Sequence, residues 1–211
     1  MIKKYLPILI LLALITGCGR MRYINPNPDF CWPEMESSQI NGRLGVYISD
    51  ENIHFNYKNA SDSKCCKHKT IRVGEGLRKA ASQASDAIFT GTAILSGEPT
   101  DTYIKTLNLR GLLHLKNVIF DVEFVPYIEP NHSGDEINLY RIKVSMAAEG
   151  SAIDFAVSDM KRFPINADRE SSTPVTRKQA GKILKQLVNE LFHEAADQLA
   201  RDLVNFYGAR N

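Results

Sequence analysis

Long hydrophobic runs are missing from this chain of 211 residues. The most apolar stretch, Leu6 to Ile15, covers about ten residues, whereas a membrane-spanning helix needs roughly 20. An excess of charge of one sign is missing as well, because 26 lysines and arginines stand against 24 aspartates and glutamates. Nucleic-acid binding depends on basic side chains that neutralise phosphates, so we expect no nucleic-acid partner.

Complete catalytic and metal-binding motifs are also absent from the sequence. No G-x-S-x-G occurs, which excludes the usual nucleophile elbow of a hydrolase. Gly74-Glu75-Gly76 lacks the rest of a phosphate loop and predicts a strand-to-helix turn. The segment His193–Asp197 resembles the H-E-x-x-H helix of metalloproteases, but Asp197 replaces the second histidine, and helical spacing places it on a charged outer face with Glu190 and Arg201. We therefore predict no catalytic residue, no metal and no cofactor.

The N-terminal segment has the features of a secretory signal. Lys3 and Lys4 give it a positive start, the short apolar run follows, and the small residue Gly17 precedes Cys18. The run Leu14-Ile15-Thr16-Gly17-Cys18 resembles the lipobox of bacterial lipoproteins. An ordinary secretory signal followed by a chance cysteine is the alternative.

The lipobox resemblance implies a lipidation site and a location. Residues 1–17 would be removed as a signal peptide, and Cys18 would carry acyl chains such as palmitate. Two or three chains hold a protein stably on a membrane, at about 0.8 kcal/mol per buried methylene. In proteobacterial lipoproteins an aspartate after this cysteine retains the protein at the inner membrane. Because Gly19 stands there, the resemblance implies the periplasmic face of the outer membrane.

The segment after the signal is long enough for one domain. Removal of residues 1–17 leaves 194 residues (211 minus 17), with 24 basic and 24 acidic side chains. Prolines among polar residues, at Pro26, Pro28 and Pro33, indicate a flexible tether. We predict a lipidated N-terminus and tether over residues 18–42, and a single α+β periplasmic domain over residues 43–207.

Three cysteines remain besides Cys18, in a compartment that permits disulfides. They are Cys31, Cys65 and Cys66. An odd number allows at most one bridge within the chain, and we predict that Cys31 pairs with Cys65 or Cys66. A Cys65–Cys66 bridge would need a strained turn. Zinc is disfavoured because C-x-x-C spacing is absent and lysines flank the pair.

Alternating apolar residues predict the strands. A hairpin or bent strand is expected over residues 43–57 with a turn at 49–52, and a short strand at 93–95. Three long antiparallel strands with one apolar face are expected next. They are predicted over residues 112–127, with a bulge at Lys116–Asn117, over 139–148, and over 153–158 after a turn at Glu149–Gly150.

Two helices are expected to cover the sheet. An alanine-rich face predicts the first over Gly74–Phe89. Apolar positions from Ala180 to Leu203 predict a second of some thirty residues, which starts at Thr173–Pro174 or Thr176 and closes at Gly208. At 1.5 Å per residue its length is about 45 Å. The predicted fold class is α+β, with an antiparallel sheet of about four to five strands packed against both helices.

The order of these parts resembles the small periplasmic α+β lipoproteins of the cell envelope, such as the lipopolysaccharide-assembly lipoprotein LptE and the YajG-like lipoproteins. The resemblance implies a non-catalytic accessory or assembly component of an envelope transport, secretion or biogenesis machine, with a protein partner. The first alternative is a lipoprotein that binds a lipid or a small apolar ligand, which requires a cavity between the long helix and the sheet. The second is an envelope enzyme, which requires polar side chains converging in one cleft. A filled core with an exposed sheet edge favours the partner.

Overall fold

A computed structural model describes residues 22–28, 39–58, 69–129 and 137–208. The strands are β1 (Arg22–Ile24), β2 (Ile40–Ile48), β3 (Asn56–Lys58), β4 (Lys69–Arg72), β5 (Phe89–Ile94), β6 (Leu109–Glu129), β7 (Ile137–Asp154), β8 (Asp159–Glu170) and β9 (Val175–Thr176). The helices are α1 (Asp50–Ile53), α2 (Val73–Ile88), α3 (Asp101–Thr106) and α4 (Arg177–Tyr207). These elements confirm the α+β class, and α2 and α4 match the two predicted helices.

The larger sheet has the strand order β5-β2-β6-β7-β8, with β9 beside β7. The long strands β6, β7 and β8 are antiparallel. β6 and β7 match the first two predicted long strands, but the third prediction, over residues 153–158, is wrong, because those residues end β7 and form a turn, and the third strand is β8, at residues 159–170. Strand β2, however, runs parallel to both β5 and β6, so the sheet is mixed. A parallel pair needs a crossover rather than a hairpin, and helices α2 and α3 provide these crossovers.

The two crossovers place helices on opposite faces of the sheet. The chain moves from β2 outward to β5 and then back across β2 to β6. Because such connections are right-handed, this reversal of direction puts α2 on one face and α3 on the other. Leu77 of α2 lies in the main hydrophobic core, whereas Tyr103 and Ile104 of α3 pack on a second, smaller cluster around Leu112.

The main core lies between the large sheet and helices α2 and α4. Side chains of the long strands alternate between this core and the outer face, as Phe120, Val122 and Phe124 show. Burial of each such side chain contributes roughly 1.5–3 kcal/mol. Helix α4 starts with a capping box between Thr176 and Gln179. The capping box satisfies backbone groups that the first turn leaves unpaired.

The N-terminal segment, residues 22–28, lies on the domain. Strand β1 pairs in parallel with β4, and β3 completes a three-stranded small sheet in the order β1-β4-β3. The chain then runs between α2 and α4, where the Lys79 Nζ atom donates to the Pro26 carbonyl oxygen at 3.2 Å and the Asn27 backbone N–H donates to Asn189 Oδ1 at 3.0 Å. The predicted flexible tether is therefore corrected for these residues, because both helices hold them.

Two predicted turns are also corrected. Neither the expected hairpin nor the expected bent strand over residues 43–57 forms, because residues 50–53 make helix α1 and β3 joins the small sheet. Strand β7 continues through Glu149 and Gly150, and the chain turns at residues 155–158 instead. The bulge at Lys116–Asn117 is confirmed by a register shift and by the positive φ of 53° at Asn117. None of the helices in the described ranges has the length and hydrophobicity needed to cross a bilayer.

Candidate functional site

The interface between the long helix and the sheet is filled with side chains. Leu184, Leu191 and Leu199 of α4 are 0–1 % exposed, and Ile142 and Ile165 of the facing strands are 0 % exposed. Interiors packed in this way leave little space that is larger than a water molecule. The apolar cavity that a small ligand would require is therefore not present between these residues.

The β8 edge of the large sheet is protected against further strand pairing. Gln198 of α4 accepts a hydrogen bond from the Asn166 backbone N–H at 3.0 Å and donates one to the Asn166 carbonyl oxygen. Two residues earlier along the same edge, Pro164 has no N–H to offer. The Met160 N–H donates to the Asp159 carboxylate at 2.7 Å. Hydrogen-bonded backbone groups and prolines on an edge strand are among the features by which proteins prevent edge-to-edge association.

The β5 edge, in contrast, is open along its length in the described part of the chain. The Leu95 N–H donates to the Val46 carbonyl oxygen at 2.9 Å, so alternate residues of β5 turn their backbone groups toward β2. The backbone groups of Thr92 and Ile94 therefore point away from the sheet. No described strand pairs with this side, and Ile94 is 40 % exposed. An open edge of this kind can accept an added strand.

A Tyr–His pair lies on the outer face of the sheet near the carboxyl ends of β2 and β5. The rings of Tyr47 and His114 have centroids 4.9 Å apart. Burial, followed by the nearby Lys116 charge, lowers the pKa of His114. Burial, followed by the charges of Asp50 and Glu98, raises the pKa of Tyr47.

Open α/β sheets often bind ligands at this position, where connections leave for opposite faces. The His114 Nε2 atom is buried and has no hydrogen-bond partner among the described residues. Among the described residues, no nucleophile or carboxylate hydrogen-bonds to the imidazole to complete a catalytic arrangement. The pair therefore packs β2 against β6, and we assign it no chemistry.

A cleft of about 470 Å³ lies beside the small sheet and the start of α2. The Arg72 guanidinium stands 4.6 Å above the Tyr23 ring centroid, and its Nη1 atom lies 3.3 Å from a Glu75 carboxylate oxygen. His54 and Arg78 also line the cleft. We call this region the basic cleft, because cationic side chains outnumber its one carboxylate.

A buried ion pair lies at the turn between β7 and β8. Asp154 is 0 % exposed and accepts hydrogen bonds from Arg110 Nη2 at 3.2 Å and from the Ala156 N–H at 2.9 Å. Shallow clefts of about 450 and 350 Å³ open beside it, against Leu109 and Phe155. The carboxylate holds the turn in place, because both of its oxygens are used within the fold.

The residues singled out in the sequence do not form one site. Cys18, Cys31, Cys65 and Cys66 lie outside the described residues, so their lipidation and pairing remain predictions. His193 is exposed on α4, as predicted for a solvated face. On the same helix Asp197 forms an ion pair with Arg201, and Glu194 forms one with Arg169. The described residues contain no group of three or more His, Cys, Asp or Glu side chains placed to hold a metal.

The sequence did not predict three surfaces that the fold creates: the protected β8 edge, the basic cleft and the open β5 edge. Pro164, in the middle of β8, was a usable signal for an edge strand, because proline is confined to edges within sheets. The basic cleft joins Tyr23 of β1 to residues of β3, β4 and α2, which come much later in the chain. The open edge of β5 depends on the parallel pairing of β5 with β2, which no local pattern specifies.

Comparison with known proteins gives structural likeness only. No protein-family model matches the sequence, and no curated protein matches it. Rare lipoprotein B of Shewanella oneidensis is 14% identical with a TM-score of 0.44, and the match covers 79% of this chain and 97% of that chain. A candidate neuraminyllactose-binding hemagglutinin homologue of Helicobacter pylori is 11% identical with a TM-score of 0.49, covering 86% and 94%.

A candidate lipoprotein of Caulobacter crescentus is 13% identical with a TM-score of 0.39, and the match covers 65% of this chain and 85% of that chain. Bacterial lipoproteins are thus among the solved structures that this chain resembles. Likeness at TM-scores of 0.49 and below assigns no function and no residue roles here.

Proposed function

We propose that this chain is a lipid-anchored, non-catalytic accessory lipoprotein of the bacterial cell envelope, held at the periplasmic face of the outer membrane by acyl chains on Cys18. Its role is to dock on a larger transport, secretion or biogenesis protein. The observation that carries this proposal is the contrast between the two edges of the large sheet: β8 is protected by Gln198 and Pro164, whereas β5 is open.

The β5 edge is suited to the addition of a strand from a partner. Its outward N–H and C=O groups would supply main-chain hydrogen bonds, and the exposed side chain of Ile94 would supply an apolar contact. Within the large sheet, this leaves the β5 edge as the one available for pairing among the described strands. This asymmetry supports a specific partner over indiscriminate association.

The alternatives have less support. A lipoprotein for a lipid or small apolar ligand needs a cavity beneath α4, where Leu184, Leu191 and Leu199 instead fill the space. An envelope enzyme needs convergent polar groups. Tyr47 and His114 form a pair without a third member among the described residues.

The anchor is tested by mass spectrometry of the protein from a membrane fraction. We expect an N-terminus at Cys18 with two or three acyl chains, and we expect Cys18→Ala to abolish both the modification and the membrane association. An unmodified, soluble product of the unaltered chain would contradict the anchor. The measurement is independent of any partner.

The docking edge is tested by photo-cross-linking in cells, with a photoreactive amino acid at position 94 and, as a control, at position 162 on exposed β8. We expect an adduct with one protein from position 94 only. Thr92→Pro should abolish the adduct, because it removes an outward N–H and leaves the hydrogen bonds to β2 intact. Thr92→Val, which keeps the N–H, should preserve it. Adducts from both positions, or an adduct that survives Thr92→Pro, would exclude the β5 edge as the docking site.

A further inference from the structure

We propose that the outer face of the small sheet, together with the basic cleft, is a contact surface for the anionic phospholipid headgroups of the membrane in which the chain is anchored. This inference rests on the proposed lipidation of Cys18. It adds an orientation: the small sheet faces the bilayer.

The first argument is the length of chain between the anchor and the fold. Three residues lie between Cys18 and Arg22, the first residue of β1. The four steps along the chain, at roughly 3.3–3.6 Å each, span at most about 14 Å. Strand β1 is fixed by pairing with β4, where Tyr23 lies opposite Thr70. An acylated Cys18 would therefore hold the small sheet next to the headgroups.

The second argument is charge. The chain as a whole is nearly balanced, with 26 basic and 24 acidic residues. Residues 54–58 and 69–79, which build the small sheet and the start of α2, carry five basic residues and one acidic residue. The basic residues are Lys58, Lys69, Arg72, Arg78 and Lys79, and the acidic residue is Glu75. Basic side chains near an anionic surface each contribute to binding within about one Debye length of roughly 8–10 Å.

The third argument is the arrangement of side chains on this face. In β4, Ile71 points into the core and is 1 % exposed, so Arg72 lies on the outer face, above the Tyr23 ring. The Lys58 and Arg78 side chains are exposed, and Tyr23 is 48 % exposed. A half-exposed tyrosine ring beneath an arginine fits the boundary between headgroups and water, where tyrosine is enriched.

The inference is tested on the lipidated protein bound to vesicles. An added reagent acylates exposed lysine side chains, and mass spectrometry measures how fast each lysine reacts. The two vesicle types are pure phosphatidylcholine and phosphatidylcholine that contains phosphatidylglycerol. We expect Lys58 to react several-fold more slowly on the anionic vesicles, and this protection to disappear at high salt. Lys161 should react equally on both. Lys161 lies beside Asp202, near the end of α4. Lys69 of the small sheet lies beside Gly181, near the start of the same helix. These two positions are 21 residues apart in α4, which corresponds to about 30 Å.

The substitutions R72Q and R78Q together should remove most of the protection of Lys58. Each basic side chain contributes about five-fold to the affinity for the anionic surface, the factor that corresponds to about 1 kcal/mol. K79Q with R78Q is a second variant that leaves Arg72 on Tyr23. Equal reaction of Lys58 on both vesicles, or protection that neither variant reduces, would overturn the inference. Flotation of the protein with the vesicles reports the anchor separately, so loss of the anchor cannot be mistaken for loss of the contact.

Discussion

Gly76 lies where α2 closely approaches α4 and the N-terminal segment. A Cβ atom at this position would lie 2.7 Å from the Phe192 ring and 2.7 Å from Pro26, closer than packed carbon atoms can approach. We expect Gly76→Ala to lower the free energy of unfolding by about 1–3 kcal/mol through overpacking. This loss exceeds the roughly 0.5–1 kcal/mol that alanine gains over glycine in a helix. Denaturant titration measures the change.

The matched control is Gly97→Ala. A Cβ atom at Gly97 meets no other atom within 4 Å, so the free energy of unfolding should change by less than about 0.5 kcal/mol. A loss of equal size in both variants would show that the contacts of Gly76 with Phe192 and Pro26 are not the cause.

The stability of the fold should depend on pH through His114. Burial lowers the pKa of this side chain in the folded state, so the unfolded chain, with an ordinary histidine pKa of about 6.5, binds the proton more readily. The contribution of the neutral imidazole is therefore complete above about pH 6.5 and is lost as the pH falls toward the folded-state pKa. We expect His114→Gln to flatten the decrease in unfolding free energy between about pH 7 and pH 5.

Tyr47→Phe provides the control for this pH dependence. It keeps the ring that packs on His114 and removes only a hydroxyl group, whose pKa is raised above its ordinary value by burial. The unfolding free energy of this variant should change with pH in the same way as that of the unaltered chain over the same range. An unchanged pH slope in His114→Gln would show that another group causes the acid sensitivity.

At the scale of elements, Gln198 joins the long helix to the protected edge of the sheet. Its amide makes two hydrogen bonds to the Asn166 backbone, each worth about 0.5–1.5 kcal/mol. We expect Gln198→Ala to cost about 1–2 kcal/mol and to promote concentration-dependent association, because the β8 edge becomes available. Unfolding and analytical ultracentrifugation measure the two effects.

Gln186→Ala is the comparison for the edge prediction. Gln186 lies on the same helix, and among the described residues its side chain bonds only to Glu190, one turn away. Its removal should therefore cost less than about 0.5 kcal/mol and cause no association. If neither glutamine variant associates, Gln198 is not what protects the edge.

Local patterns predicted the elements better than their connections. The alternation of Ile142, Val144 and Met146 identified a strand correctly. The sequence predicts a turn at Gly150, but this glycine is a packing position, because a Cβ atom there would lie 2.2 Å from the Phe163 ring. The true turn follows Asp154, whose carboxylate accepts from the Ala156 N–H. A glycine required by a distant neighbour looks the same in sequence as a glycine required by a turn.

The same limit applies to the candidate surfaces. The solvated face of α4 around His193 could be predicted, because helical periodicity is local. The open edge of β5 could not, because a crossover places β5 beside β2, and residues distant in sequence determine that pairing. Surfaces that arise from topology become visible only once the strand order is known.

At the scale of the whole molecule, the N-terminal segment connects the proposed anchor to the core. Ile24 is 5 % exposed and belongs to the main core, and Gln83 of α2 donates to the Pro28 carbonyl oxygen at 2.8 Å. Together with the hydrogen bond from Asn27 to Asn189 of α4, these contacts link the segment to both helices. The segment is thus part of the folded domain, and an anchor placed before it would act directly on the fold.

A chain that begins at Gln39 should therefore be less stable than one that begins at Cys18. We expect Ile24→Ala alone to lower the free energy of unfolding by about 2–4 kcal/mol, the usual cost of truncating a buried isoleucine, and the truncation to lower it by at least as much. Tyr23→Ala, which alters a half-exposed side chain of the same strand, should cost less than about 1 kcal/mol. Thermal and denaturant unfolding of the four proteins would decide. Equal stability of the truncated and longer chains would show that residues 22–28 only rest on the surface, and that the domain begins at β2.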